Sequence, residues 1–150
     1  MGVNLAEWAG APGMAPSRAN TGEELLEVNE RSAEYGLLLT KREAERVAEA
    51  EREAAGETGR VIFGESAAVK LAEKFMRSSY ISQYDYADTL EQLVSAFYES
   101  KEETGGIFSD DELIDIMFGF FEGRSGGDID TLMERDMESV FRRIRGAQEI

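Results

Sequence analysis

From Glu23 onward, apolar residues recur at helical spacing in one segment after another, and this periodicity favours an all-α or mainly α fold. Most of these segments begin with a capping residue and end at a glycine, as helices do. The clearest of them, over 83–103, places six large side chains on one face: Tyr86, Leu90, Leu93, Val94, Phe97 and Tyr98. The sequence therefore predicts a single compact domain of about six helices over 23–150.

Capping residues indicate where several helices begin. Three pairs have the spacing of a capping box, in which each residue bonds the other's backbone N–H: Thr40 with Glu43, Ser82 with Asp85, and Ser109 with Glu112. With the glycines that follow, they predict helices over roughly 23–35, 41–57, 66–77, 83–103 and 110–122, and a last one after Asp128.

Two short segments break the helical pattern. Leu37–Leu39 is an apolar run, and Val61–Phe63 is β-branched and aromatic between glycines, which suits a strand. These two segments could pair into a minor two-stranded ribbon.

Residues 1–22 form the remaining part of the chain. They contain both prolines and are rich in glycine and alanine, so no helix runs through them cleanly. We expect a flexible N-terminal arm, whose apolar residues Leu5 and Trp8 could dock on the domain or on another molecule.

The chain has no cysteine and no histidine. Disulfides, thiolate nucleophiles, Cys or His zinc sites, Ser-His-Asp triads and imidazole acid–base catalysis by this chain alone are thereby excluded. Paired carboxylates could still act as acid and base, but they need a cleft and a defined separation. We expect no catalytic residue, no cofactor and no metal site, and we lean against an enzyme.

The chain is strongly acidic, with 31 acidic and 16 basic residues and a formal charge of −15. Such a charge repels phosphate backbones and anionic lipid, so we expect no direct nucleic-acid partner and no membrane partner. No apolar run approaches the ~18–20 residues of a membrane span, and the start lacks the pattern of a signal peptide. We expect a cytoplasmic protein. The charge could serve solubility or attract a basic partner, which leaves open an acidic inhibitor that imitates nucleic acid.

Two acidic clusters leave a carboxylate-based divalent-metal-binding protein open as a further alternative. They are Asp110, Asp111, Glu112 and Asp115, and Asp128, Asp130 and Glu134. The EF-hand loop with its central glycine is missing, and acids at helix starts are explained by the helix dipole. Gly64-Glu65-Ser66 lacks a Walker lysine and is interpreted as a turn into a helix.

Aromatic and apolar side chains beyond the needs of a core indicate a surface for a partner. Tyrosine combines a large rigid contact area with a polar tip, and the helix over 110–122 is apolar nearly all round, so it is either central or half of an interface. The candidate interaction residues are Tyr80, Tyr84, Tyr86, Tyr98, Phe118, Phe120 and Phe121. Our main hypothesis is a non-catalytic interaction or adaptor protein that binds a protein partner or a second copy of itself.

Four segments, in this order, carry a resemblance to a known family: 35–40 (YGLLLT), 59–65 (GRVIFGE), 79–90 (SYISQYDYADTL) and 109–114 (SDDELI). Over about residues 24–145 the chain resembles DUF6323, a family of small bacterial proteins of unknown function. The resemblance implies a bacterial cytoplasmic setting and a shared fold but no reaction. The chain departs from the family pattern because it has no cysteine near Met76 or Ser125, so a redox role would not extend to it.

Overall fold

A computed structural model describes residues 21–60 and 65–148 of the chain, and all regular structure in these ranges is helical. The helices are α1 Thr21–Ser32, α2 Lys41–Glu57, α3 Ala67–Phe75, α4 Tyr86–Glu103, α5 Asp110–Glu122 and α6 over 129–148. Short 3-10 turns, Ala33–Tyr35 and Gln83–Asp85, follow α1 and precede α4. The predicted all-α class with about six helices is confirmed.

The capping residues at Thr40 and Ser109 act as the sequence predicts, whereas the Ser82 hydroxyl donates to the Asp85 carboxylate and the Asp85 N–H bonds the Ser82 carbonyl. In all three predicted boxes, which begin at Thr40, Ser82 and Ser109, the side chain of the first residue is hydrogen-bonded to the residue three positions later in the chain. At Thr40, for example, the hydroxyl accepts from the Glu43 N–H at 3.1 Å, and the Glu43 carboxylate accepts from the Thr40 N–H at 2.9 Å. Each box satisfies backbone donors that the first helical turn leaves free.

The core forms where α2 and α4 pack against each other, with α1 and α3 completing one side. The buried stripe of α2 consists mainly of alanine, which lets the two backbones approach closely. Large side chains from the other helices fill the remaining space: Phe75, Tyr86, Phe97, Met117, Phe121 and Phe141. Burial of a side chain of this size contributes about 1.5–3 kcal/mol, so these residues dominate the stability of the fold.

α5 buries one face and leaves the other partly open. Its buried residues are Leu113, Ile114, Met117 and Phe121, while Ile116, Phe118 and Phe120 are half-buried. Phe118 meets the ring of Phe75 edge to face at 5.2 Å, and the Lys74 ammonium lies 5.3 Å from its centroid. The apolar surplus of this helix is therefore largely taken up by packing within the chain.

α6 contains a π-helical segment that the periodicity did not predict. An α-helical turn, Ile129–Thr131, leads into the π-helical segment Leu132–Met137, and α-helix resumes over Glu138–Gln148. A π-helical turn holds more residues than an α-helical turn, so the face that meets the core shifts along the helix. It brings the charged residue Asp136 into the interior, where its exposed fraction is 1%.

The extended segment Leu37–Leu39 has no strand partner among the described residues. Two amide side chains bond its backbone instead. Asn29 accepts from the Leu39 N–H and donates to the Leu39 carbonyl, both at 2.9 Å. Gln83 does the same at Leu38, at 2.6 and 3.0 Å. These side chains supply the hydrogen bonds that a ribbon would have supplied.

Other predictions fall on residues beyond the described ranges. Val61–Phe63, the second half of the predicted ribbon, lies outside them, as do residues 1–20 of the predicted arm with Leu5 and Trp8. Of the segment 1–22, only Thr21 and Gly22 are described, and both belong to α1.

Candidate functional site

An open groove lies between α2, α4 and the start of α6, and we call it the acidic groove. Near the starts of the two long helices, Arg46 pairs with Asp88 at 2.7 Å. Near their ends, Thr58 and Glu102 line the groove together. The two helices therefore run side by side in the same direction. The main part of the groove has a volume of about 550 Å³, and a continuation towards the helix ends adds about 280 Å³.

The floor of the acidic groove is mostly apolar and built largely of small residues, with the polar Gln92 and Ser95 of α4 also in the lining. α2 contributes Ala50 and Ala54, α4 contributes Ala96, and α6 contributes Ile129 and Met133. Ala50 and Ala54 lie four residues apart on α2, and Ile129 and Met133 lie four residues apart on α6, so each pair lies on one face of its helix and that face meets the groove. Because alanine has no atoms beyond Cβ, the backbone of a bound segment could approach the floor closely.

The rim of the acidic groove carries only one sign of charge. Among the described lining residues there are eight acidic side chains and no lysine or arginine: Glu53 and Glu57 on α2, Glu91, Glu99, Glu102 and Glu103 on α4, and Asp130 and Glu134 on α6. Acids of one sign along a cleft with low-dielectric walls focus a negative potential inside it.

Among the described residues, ion pairs neutralise just two of the eight rim acids, the first and the last of those on α4. Glu91 pairs with Arg46 at 2.5 Å, and Glu103 pairs with Arg145 at 3.4 Å. Within residues 21–60 and 65–148, the other six rim acids take part in no ion pair. Their charge is thus available to a cationic ligand.

Beneath the groove, Glu51 of α2 is completely buried. One of its carboxylate oxygens, Oε2, accepts from the backbone N–H of Ala67 at 2.9 Å and from the Tyr98 hydroxyl at 2.7 Å. The carboxylate also lies 3.4 Å from the Ala68 nitrogen, so it caps the start of α3 from a neighbouring helix. Oε1 has no hydrogen-bond partner among the described residues.

The environment of Glu51 disfavours its charged form. Burial raises the pKa of the Glu51 carboxyl above its ordinary value, although the hydrogen bonds from Tyr98 and the backbone act in the opposite direction. Burial, followed by the nearby charge of Glu51, likewise raises the pKa of the Tyr98 phenol. Glu51 lines neither part of the acidic groove, whereas Tyr98 lines its continuation, so the pair joins α2, α3 and α4 directly beneath the groove.

Sequence reasoning missed Glu51, although a signal was present. Its position lies four residues after Val47 and four before Ala55, both of which the pattern places on the buried stripe of α2. A charged residue in the middle of an apolar stripe is a reason to expect a buried, hydrogen-bonded carboxylate.

A second buried carboxylate, Asp136, lies on the π-helical segment. It accepts from the Ser125 hydroxyl at 2.7 Å and from the Arg135 guanidinium at 3.0 Å, and Arg124 lies 3.8 Å away. The hydrogen bond from Arg135 lowers the pKa of the Asp136 carboxyl below its ordinary value. This contact fastens the glycine-rich loop over 123–127 to α6.

The structure brings two of the predicted interaction residues together, since the rings of Tyr80 and Phe121 meet edge to face at 6.3 Å, but it does not gather the whole set into one surface. Tyr84 is 97% exposed and Tyr80 49%, whereas Tyr86 and Tyr98 are in the core. Tyr98 reaches the lining of the acidic groove from below. The phenylalanines Phe118, Phe120 and Phe121 lie on α5 and range from half-buried to buried.

The acidic residues at the start of α5 are engaged with lysines. Asp110 pairs with Lys101 at 2.7 Å, Asp111 with Lys70 at 3.2 Å and Asp115 with Lys74 at 2.9 Å. Across the described part of the chain, no group of three or more acidic side chains is arranged to hold a metal ion.

None of the helices described is both long enough and apolar enough to cross a membrane. Residues 24–149 match the model of DUF6323, a family of unknown function, and this range includes all of the helical region except the first three residues of α1, with the acidic groove and both buried carboxylates inside it. The chain belongs to DUF6323. No curated protein and no solved structure shows significant similarity to it.

Two of the segments that resemble DUF6323 meet in the fold. Leu38 of the first segment receives the paired hydrogen bonds of Gln83 from the third. The fourth segment supplies the capping box of α5 at Ser109. In this DUF6323 member, the first, third and fourth of these segments therefore lie at connections between helices.

Proposed function

We propose that the chain is a non-catalytic interaction protein that binds a protein partner through the acidic groove, in the setting of a bacterial cytoplasm. The observation that carries this proposal is the groove itself, which combines a mostly apolar floor with a rim of eight acids, six of which take part in no ion pair among the described residues. Surfaces that bind proteins combine an apolar centre with a polar rim in the same way. The sequence supports the non-catalytic part, since it supplies neither histidine nor cysteine for catalysis.

The proposal explains why acids remain unpaired around an apolar floor. Some acids elsewhere on the fold have a cation beside them, as at Lys70 and Asp111 or Lys74 and Asp115. Others, such as Glu30 and Glu34, take part in no ion pair among the described residues. Along the groove, six acids lack such neighbours among the described residues. Mutual repulsion between them disfavours the free state and would be relieved by a bound basic surface.

The test is affinity capture of the tagged chain from cells of its own source, with recovered proteins identified by mass spectrometry. Three versions are compared: the unchanged chain, a groove variant with Glu57→Gln and Glu99→Gln, and a control with Glu30→Gln and Glu34→Gln. Glu57 and Glu99 line both parts of the groove. Glu30 and Glu34 are exposed and lie outside it, so the control changes the net charge equally.

We expect one partner to be recovered with the unchanged chain and the control but not with the groove variant. Equal recovery with all three versions would show that the partner binds a surface other than the groove. Tyr84, the most exposed tyrosine, would then be the first residue to substitute. Recovery of the chain alone in every case would contradict an interaction function.

A nucleic-acid mimic is a special case of this proposal, favoured by the net charge of −15. In that case, the captured partner would itself be a nucleic-acid-binding protein. Duplex DNA added to the extract would then release the partner from the chain, because both ligands would compete for the same basic surface.

A further inference from the structure

Resting on the proposed function, we infer that the segment bound in the acidic groove is a cationic amphipathic helix of the partner protein. Such a helix carries a narrow apolar stripe with lysine or arginine on both sides of it. The stripe would lie on the alanine floor, and the cations would reach the two acidic rims.

The dimensions of the groove match a short helix. Its acids on α4 extend from Glu91 to Glu103, which at ~1.5 Å per residue is about 18 Å, or about three helical turns. The floor presents Ala50, Ala54 and Ala96, whose small side chains leave room for a helix to pack closely. A peptide helix laid along α2 and α4 would thus be a third helix packed against a pair.

The negative charges around the groove favour a positively charged segment as its occupant. Glu53 and Glu57 stand on one side and Glu99 on another, with Asp130 and Glu134 closing the third. A helix with cations on both flanks would meet an acid on every side, whereas a neutral apolar helix would leave those acids facing a low-dielectric surface.

The same charge argues against a second copy of this chain as the occupant. Each copy carries a formal charge of −15, so two copies repel each other at long range. The arginines that flank the groove, Arg46 and Arg145, are already paired with its end acids. A basic helix from a partner protein is not repelled by the charge of the chain, and it brings its own cations to the unpaired acids.

The probes are two synthetic peptides of identical composition, made of lysine, leucine and alanine and about 14 residues long, which is ~21 Å as a helix. In the first peptide, the leucines and alanines recur at three- and four-residue intervals and form one face. In the second peptide, the same residues are scrambled so that no face forms. Binding to the full chain is titrated by calorimetry at about 0.1 M salt, where the Debye length is about 10 Å.

We expect the first peptide to bind with one-to-one stoichiometry, to become helical on binding by circular dichroism, and to bind about tenfold more tightly than the scrambled peptide. Glu57→Gln with Glu99→Gln should weaken its binding about fivefold, whereas Glu30→Gln with Glu34→Gln should change it less than about twofold. Equal binding of both peptides, or equal loss in both variants, would mean that only diffuse charge attraction operates and would overturn the inference.

The apolar floor is tested by filling it. Ala50→Phe places a ring where the peptide would lie and should abolish binding of the first peptide. Ala50 is only half-buried, but if that variant does not fold, Ser95→Phe serves instead, because Ser95 is exposed and lines the same groove. Undiminished binding to a folded, filled variant would overturn the inference.

Two further outcomes separate this inference from the proposed function. A chain that sediments as a dimer, and becomes monomeric with Glu57→Gln and Glu99→Gln, would make a second copy the occupant and overturn the inference. Failure of both peptides, together with a cellular partner that is lost from the groove variant, would leave the function standing and refute only the cationic helix.

Discussion

Tyr98 of α4 donates a hydrogen bond to Oε2 of Glu51 on α2, with 2.7 Å between the two oxygens, inside the core. Glu51 is fully buried and Tyr98 is 6% exposed. The bond joins the two helices that form the walls of the acidic groove, and the same carboxylate oxygen also receives the first N–H of α3. A single buried side chain therefore holds three helices in place.

Removal of either partner should destabilise the fold. Tyr98→Phe deletes only the donor hydroxyl and should lower the free energy of unfolding by about 1–2 kcal/mol. Glu51→Ala also leaves the Ala67 N–H without its acceptor and creates a cavity, so we expect a loss of about 2–4 kcal/mol. Urea unfolding of each variant measures these losses. The variant with both substitutions completes a double-mutant cycle, which gives the coupling energy between the two side chains. A coupling energy near zero would show that the two side chains act independently.

The raised pKa of Glu51 gives stability a specific dependence on pH. Between the ordinary pKa of 4.5 and the raised pKa of the native state, the unfolded chain has lost this proton while the native chain still retains it. The native state then binds more protons, so this residue's contribution to the free energy of unfolding falls as pH rises from that value through the native pKa.

Glu51→Gln replaces the titratable carboxyl group with an amide of similar shape that does not titrate. The free energy of unfolding of the unchanged chain, minus that of Glu51→Gln, should therefore decrease as pH rises upward from about 4.5. Taking the difference cancels the titration of the other acids. Urea unfolding of both proteins at matched pH values measures it, and a difference that is constant or increases with pH would refute the assignment.

Asp136 should show the opposite dependence on pH. The hydrogen bond from Arg135 lowers its pKa below 3.8, against the effect of burial and with a further contribution from Ser125. The stabilisation it provides is thus present above that value and is lost as pH falls through the native pKa. Asp136→Asn should cost about 1–3 kcal/mol at neutral pH, and this deficit should shrink in acid. A deficit that does not change with pH would contradict the ionised state of this carboxylate.

Much of the fold follows from local sequence signals. The capping boxes at Thr40 and Ser109 satisfy backbone donors within a few residues of themselves, so their effect can be deduced without knowing the tertiary structure. The starts of α2 and α5 follow from them. Glycine at position 36, with φ of +76°, likewise ends the first helical region where the sequence indicates.

The parts that the sequence did not predict depend on contacts between distant residues. Asn29 and Gln83 bond the segment Leu37–Leu39 from 10 and 45 residues away, and nothing local to the segment indicates this. The acidic groove depends in the same way on α2, α4 and α6 lying together. Its rim acids are typical of solvent-facing helix positions, so only the packing of the three helices gives them a common location.

The last prediction concerns Gly127, the end of the loop that Asp136 fastens. Its φ is +81°, and a Cβ placed there would lie 2.5 Å from both Cβ and Cγ of Tyr80. These atoms are close to the Tyr80 backbone and cannot move aside by a simple rotation. Gly127→Ala therefore combines backbone strain with overpacking, and we expect it to lower the free energy of unfolding by about 2–4 kcal/mol.

Gly126 provides a matched control in the same loop. Its φ of +61° imposes similar backbone strain, but a Cβ there would meet nothing within 4 Å. Gly126→Ala should therefore cost only about 1–2 kcal/mol, the strain alone. Urea unfolding of the two variants isolates the contact with Tyr80 as their difference, and Tyr80→Gly in the Gly127→Ala background should recover part of it, because it removes both contacting atoms. Equal losses in the two alanine variants would mean that the loop and Tyr80 are not in the contact described here.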